Sequence, residues 1–210
     1  WTDEIKAATF DESVSSQAYA LTQRFFELEP GRYDLVVTMR DNETKAGRRV
    51  AKQLLISDYR SQPFMLSDIM LVGRLNLSGE RKVIVPNVSS NVGTVSGPFY
   101  VFFEAYGGHK DDTIRFVGTV FNEKNEPQLE VDTTQVLQSA RTQVFMRIDN
   151  NKLALGDYKL VVRAFTAGVT PGKEQSSLAS TNRLFIVRWR GMPRGVKDLD
   201  VAIEQLQYIA

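Results

Sequence analysis

Cysteine is absent from the 210 residues, and histidine occurs once, at His109. The first absence excludes disulfide frameworks, thiolate metal sites and cysteine nucleophiles. The second excludes two-histidine metal motifs and leaves one candidate base for any Ser-His-Asp arrangement. A charge excess is also missing. Set against 25 acidic residues, 26 basic ones leave a formal net charge of +1, which argues against a nucleic-acid binder held by clustered Lys and Arg. No stretch approaches the roughly 18 uninterrupted apolar residues of a membrane-spanning helix. Nor does a basic start lead into a short apolar run, as a secretory signal would. The chain opens on Trp1, so the expectation is that an upstream segment has been removed and that the missing signal says little about compartment.

What is present is short alternating segments parted by turn residues, the pattern of β-strands. Tyr33, Leu35 and Val37 alternate with Asp34, Val36 and Thr38. Phe99 to Phe103 is apolar on both faces, as a central strand of a sandwich would be, and Ile114 to Phe121 follows it. A turn is expected through Asn122 to Pro127, then strands at Val144 to Ile148, Tyr158 to Val162 and Leu184 to Val187. These runs are rich in β-branched and aromatic residues, which suit a pleated, half-buried surface. Only the end reads as helix: Asp198 is placed to cap a turn, and Leu199, Val201, Ala202, Ile203, Leu206 and Ile209 recur at helical spacing after the breakers Pro193 and Gly195.

An internal repeat carries more information. The phrase Leu-x-x-Gly-x-Tyr-x-Leu-Val-Val runs from Leu28 to Val37 and returns from Leu153 to Val162, 125 residues on. Each copy precedes a second apolar strand, Leu54-Leu55-Ile56 in the first and Leu184-Phe185-Ile186 in the second, and each follows an alternating segment, near Tyr19 to Phe26 and near Val144 to Ile148. Gly31 and Gly156 are expected to supply the positive φ of a tight corner. Tyr33 and Tyr158 are expected to bury their rings and return their hydroxyls to the upstream backbone, as in the tyrosine corner of immunoglobulin-like sandwiches. The fold class is therefore all-β: tandem immunoglobulin-like or fibronectin-III-like sandwiches with a short C-terminal helix.

The two copies are unequally complete. About seventy residues precede the second corner, room for four strands, but only 27 precede Leu28. A seven-strand sandwich of about 100 residues does not fit there. The early strands of the first copy are thus expected upstream of Trp1 or in another chain, leaving Phe25, Leu35, Val37 and Leu54 or their neighbours exposed. The division expected is 1–75 for the end of a first sandwich, 76–190 for a complete second one, and 191–210 for a hinge and helix leading to a further domain. Residues 75–80 would join the modules, with Leu66 to Leu71 either closing the first sheet or crossing to the second.

The phrase Phe26-Glu27-Leu28-Glu29-Pro30-Gly31-Arg32-Tyr33-Asp34-Leu35, the segment Leu66-Ser67-Asp68-Ile69-Met70-Leu71 and the closing run from Asp198 to Ala210 occur here in one chain. Together they resemble the region upstream of the signature in bacterial GWxTD-domain proteins. The resemblance covers most of the chain, although the Gly-Trp-x-Thr-Asp signature itself is absent. It implies an exported, extracytoplasmic component of the bacterial envelope, periplasmic or envelope-associated, and transfers no catalytic residue.

Individual residues add little chemistry. His109 sits in the glycine-rich turn Gly107-Gly108-His109-Lys110-Asp111-Asp112, and no Gly-x-Ser-x-Gly elbow accompanies it, so a solvent-exposed hairpin residue is the reading preferred over a triad base. The acidic pairs Asp111/Asp112 and Asp198/Asp200 fall short of the six to eight oxygens of a calcium site. Gly191 and Gly195 lack the Lys-Ser/Thr of a phosphate loop. A possible interaction surface is assigned to Tyr100 and Tyr106, and to Arg188, Trp189 and Arg190, the densest basic stretch with an aromatic inside it. No catalytic, cofactor or metal residue is assigned and no cofactor is expected. The expected partner is protein, through sheet edges or another copy of the chain, and not nucleic acid. The function expected is a non-catalytic structural or protein-interaction module; the alternative is a carbohydrate-binding module or accessory domain of a larger hydrolase.

Overall fold

The computed structural model describes residues 6–11, 24–42, 44–76, 83–93, 97–168 and 176–188. The expected C-terminal helix lies outside them, as does most of the expected strand at 19–26, of which residues 24–26 are not in a strand. The chain divides into two compact units, Trp1–Asp58 and Tyr59–Ala210.

The first unit contains one antiparallel hairpin, β1 (Gly31–Arg40) with β2 (Gly47–Ile56). Its loop closes through Asp41, whose amide donates to the Ala46 carbonyl and whose carboxylate accepts from the Thr44 amide at 2.7 Å. Among the described residues β1 pairs with β2 and with nothing else.

The described strands after Asp58 build one sandwich. Its strands are β3 (Phe64–Leu66), β4 (Met70–Asn76), β5 (Val83–Pro86), β6 (Phe99–Gly107), β7 (Thr113–Asn122), β8 (Pro127–Val136), β9 (Arg141–Ile148), β10 (Gly156–Thr166) and β11 (Ala179–Val187). One sheet runs β11-β10-β7-β8. In the other, β6 is central: β9 flanks it on one edge, β3 and β4 follow each other along the opposite edge, and β5 pairs with β4. The chain crosses between sheets after β6, β8 and β9, as sandwiches of the immunoglobulin class do.

Alternation sets the core. Phe99, Val101 and Phe103 of β6 and Val144, Met146 and Ile148 of β9 face Phe116 and Val120 of β7 and Leu160 and Val162 of β10, all fully buried. Phe103 meets Phe116 edge-on, with ring centroids 5.4 Å apart.

Two expectations are corrected here. The boundary near residue 75 moves to between Asp58 and Tyr59, because β3 and β4 hydrogen-bond to β6 and bury Phe64, Leu66 and Leu71 in the second core. Of its two possible roles, the Leu66–Leu71 stretch takes the crossing one. The room for four strands ahead of the second corner becomes seven, since β3, β4, β5 and β8 went unrecognised beside β6, β7 and β9.

Candidate functional site

The two corners are built alike. Each begins a strand with glycine, Gly31 in β1 and Gly156 in β10, and sets tyrosine two residues on. Tyr33 Oη donates to the Glu29 carbonyl at 2.8 Å, and Tyr158 Oη donates to the Ala154 carbonyl at 2.9 Å. The spacing is four residues in both copies, so each ring folds back over its own approach to the strand. The glycines meet the expectation unequally. Gly31 has the expected positive φ, 157°, which L side chains rarely adopt, whereas Gly156 has no positive φ. A Cβ there would meet the tyrosine ring at 3.7 Å and 3.6 Å, ordinary van der Waals contact. Gly156 thus begins its strand without a positive φ, while at Gly31 the backbone conformation itself favours glycine.

Strand pairing extends the equivalence. Tyr33 stands opposite Leu54 and Tyr158 opposite Phe185, so Leu54-Leu55-Ile56 corresponds to Phe185-Ile186-Val187, one residue later than the sequence pattern implies. On the tyrosine's side of β10, Leu160, Val162 and Ala164 are 0% exposed. Their counterparts on β1, Leu35, Val37 and Met39, are 37%, 43% and 67% exposed. The same face of the same hairpin is core in one copy and surface in the other. Phe25, Leu55 and Val50 are exposed as well, while Leu54 is half-buried.

A second surface is the outward face of the sheet centred on β6. Tyr100, Phe102, Glu104 and Tyr106 alternate with the core residues of that strand and are half-buried. Tyr59 stacks on Tyr106 with centroids 4.2 Å apart and planes 12° apart, and Phe102 packs on Phe145 of β9 at 5.1 Å. Tyr106 Oη donates to one Glu104 carboxylate oxygen at 2.5 Å, and Arg141 donates to the other at 2.6 and 2.9 Å. Burial pushes the Glu104 carboxyl up, but the hydrogen bonds from Tyr106, Arg141 and Gln143 and the Arg141 charge outweigh it and hold the group below its ordinary value. Burial and the Glu104 carboxylate together push the Tyr106 phenol up to about 12. Tyr100 sits opposite Arg147 of β9 and Val72 of β4. Tyr59 and Phe145 were missed from sequence, since their ring partners lie across a loop and a neighbouring strand.

The expected basic surface comes apart. Arg188 is an internal strut: its guanidinium pairs with Asp157 at 3.0 Å, and its amide donates to the Asn91 side chain at 3.0 Å. Trp189 and Arg190 lie outside the described residues. His109 stands in solvent with its side chain 94% exposed, its amide donating to the Asp112 carboxylate at 2.8 Å. Asp111 adopts φ 71° in the same turn. Among the described residues, no helix is long and apolar enough to cross a membrane.

No protein-family model and no curated protein matches the chain. Among solved structures it is similar to a Mobiluncus mulieris bacterial adhesin containing disulfide, isopeptide and ester cross-links, at 10% identity and TM-score 0.39, over 61% of this chain and 58% of that one. It is also similar to a glycosyl hydrolase family 2 member from Bacteroides cellulosilyticus, at 10% identity and TM-score 0.39, over 60% of this chain and 16% of that one. A Bifidobacterium dentium beta-glucuronidase complexed with coumarin-3-O-glucuronide is similar at 14% identity and TM-score 0.33, over 60% of this chain and 18% of the enzyme.

Proposed function

We propose that this chain is a non-catalytic structural or protein-interaction module of a bacterial envelope protein, working outside the cytoplasm. The observation that carries the reading is the duplicated corner hairpin, whose first copy presents to solvent the apolar face that its second copy buries completely. Exposed apolar patches of this kind mark interaction surfaces, protein–protein contacts among them. Compartment and the absence of catalysis rest on the resemblance to the region upstream of the GWxTD signature. A near-neutral charge favours protein over nucleic acid as partner.

The rival is carbohydrate binding by the aromatic face around Tyr59, Phe102, Tyr106 and Phe145. It is the weaker reading. The rings pack on one another and Glu104 is already held by Tyr106 and Arg141, whereas a sugar platform needs open ring faces beside unspent polar groups. The test is a glycan array probed with the wild-type chain and with Tyr100→Ala and Tyr106→Ala. The expected outcome is no retention that depends on either tyrosine. Specific glycan retention lost in Tyr106→Ala would move the assignment to the rival.

A further inference from the structure

The complete sandwich shows what a corner hairpin requires on the edge that its partner strand leaves open. On β10 that edge is taken by β7, running antiparallel, with Val120 opposite Leu160, Gly118 opposite Val162 and Phe116 opposite Ala164. On that one face of β7, Phe116 and Val120 enter the core beside β10, and Gly118 leaves room for Met146 of β9, whose sulfur a Cβ there would meet at 2.7 Å. On β1 the equivalent positions are Leu35, Val37 and Met39, all exposed, and no strand among the described residues pairs with that edge. The backbone donors and acceptors along one side of a ten-residue strand and an apolar stripe beside them coincide. That combination is the acceptor half of strand addition, in which main-chain hydrogen bonds give affinity and alternate side chains give specificity.

We propose that the outer edge of β1 is a docking site for an extended segment of another polypeptide, which adds antiparallel to β1 in the register that β7 takes on β10. The second copy dictates the chemistry of the segment. It carries an apolar residue across from Leu35, as Val120 stands across from Leu160. Across from Met39 it carries a residue smaller than the Phe116 that faces Ala164, because Met39 fills more of the shared space. Polar residues alternate with these on the opposite face. The proposal rests on the protein-interaction reading above and adds the surface, the direction and the side-chain pattern of the partner.

The test uses the full chain and a synthetic peptide with the sequence of β7, Thr113–Asn122, carrying Phe116→Ala to make room for Met39. Hydrogen exchange at the outward β1 amides, those not bonded to β2, is read with and without peptide, with β10 exchange as the internal standard for an intact sandwich. The expected result is a slowing of β1 exchange by about tenfold or more at millimolar peptide. The effect persists in Val36→Asp, on the other face of β1, and disappears in Val37→Asp. It also disappears with a peptide carrying Val120→Asp, which leaves the chain untouched and so does not depend on a variant folding. No slowing with the first peptide, or slowing that survives both aspartates, overturns the proposal. So does protection of those outward amides without peptide: if it grows with chain concentration, a second copy is the occupant, and if it holds at every dilution, a stretch of this chain covers the edge. Failure here leaves the module reading in place, since that reading falls on the glycan array instead.

Discussion

At the scale of single residues, the corner tyrosines tie sequence to architecture most directly. A phenol donating to the carbonyl four residues upstream satisfies a backbone acceptor that the turn into the strand would otherwise leave to water. The two copies differ in what surrounds that bond. Tyr158 is buried and its ring stacks on Phe185 at 5.5 Å, while Tyr33 is half-buried. Removal of the hydroxyl costs a part-buried hydrogen bond in one case and an exposed one in the other. Tyr158→Phe is therefore expected to lower the stability of the sandwich by about 1 kcal/mol. Tyr33→Phe is expected to leave the urea midpoint of that transition unchanged. Equal losses from the two substitutions would contradict the assignment of their hydroxyls to separate units.

At the scale of elements, the strands legible in the sequence are those whose residues are alternating or densely apolar: β1, β2, β6, β7, β9, β10 and β11. The ones that escaped have physical reasons. β8 carries Gln, Glu, Asp and Thr on an edge, with only Leu129 and Val131 packed against the core, so its periodicity is faint. β3 and β4 form an interrupted line on β6, broken at Ser67-Asp68-Ile69. There the Ser67 hydroxyl accepts the Glu104 amide at 2.8 Å and replaces the missing strand contact. A side chain standing in for backbone leaves no alternation to read. The corner motif was legible down to its hydrogen bond and to the positive φ of Gly31, but not to its absence at Gly156, because Gly-x-Tyr looks the same either way.

The β6 outer face also carries the fold's clearest dependence on pH. Tyr106 has its phenol pushed up by burial and by the Glu104 carboxylate to about 12. A raised phenol favours the neutral form in the folded state, so its contribution is complete below the ordinary tyrosine value of about 10 and is lost as pH rises through about 12. Glu104 behaves in the opposite sense. Held below its ordinary value, it contributes above the usual carboxylate range and loses that contribution as pH falls through the lowered value. The expected outcome is that phenolate absorbance, wild type minus Tyr106→Phe, shows a tyrosine ionising near pH 12. Alkaline loss of stability above about pH 10 should be shallower in the variant. A difference spectrum centred near pH 10 would mean that the Tyr106–Glu104 bond does not hold in solution.

At the scale of the whole molecule, pairing and burial sort the described residues into a hairpin and a sandwich that share no strand. Every strand from β3 to β11 finds its ladder partners after Asp58, and the buried cluster runs from Phe64 to Val187. Cooperative stability comes from such closed burial, and a two-stranded hairpin with an open apolar face contributes little of it in water. The fragment Tyr59–Ala210 is therefore expected to unfold in one cooperative transition, with a urea midpoint and slope matching the main transition of the full chain. The midpoint reports the energy of the sandwich and the slope the surface it exposes. A fragment that aggregates, or melts with a clearly lower slope, would show that residues before Asp58 complete the sandwich. In that case the exposed face of β1 would be read as part of one core and not as a surface awaiting a partner.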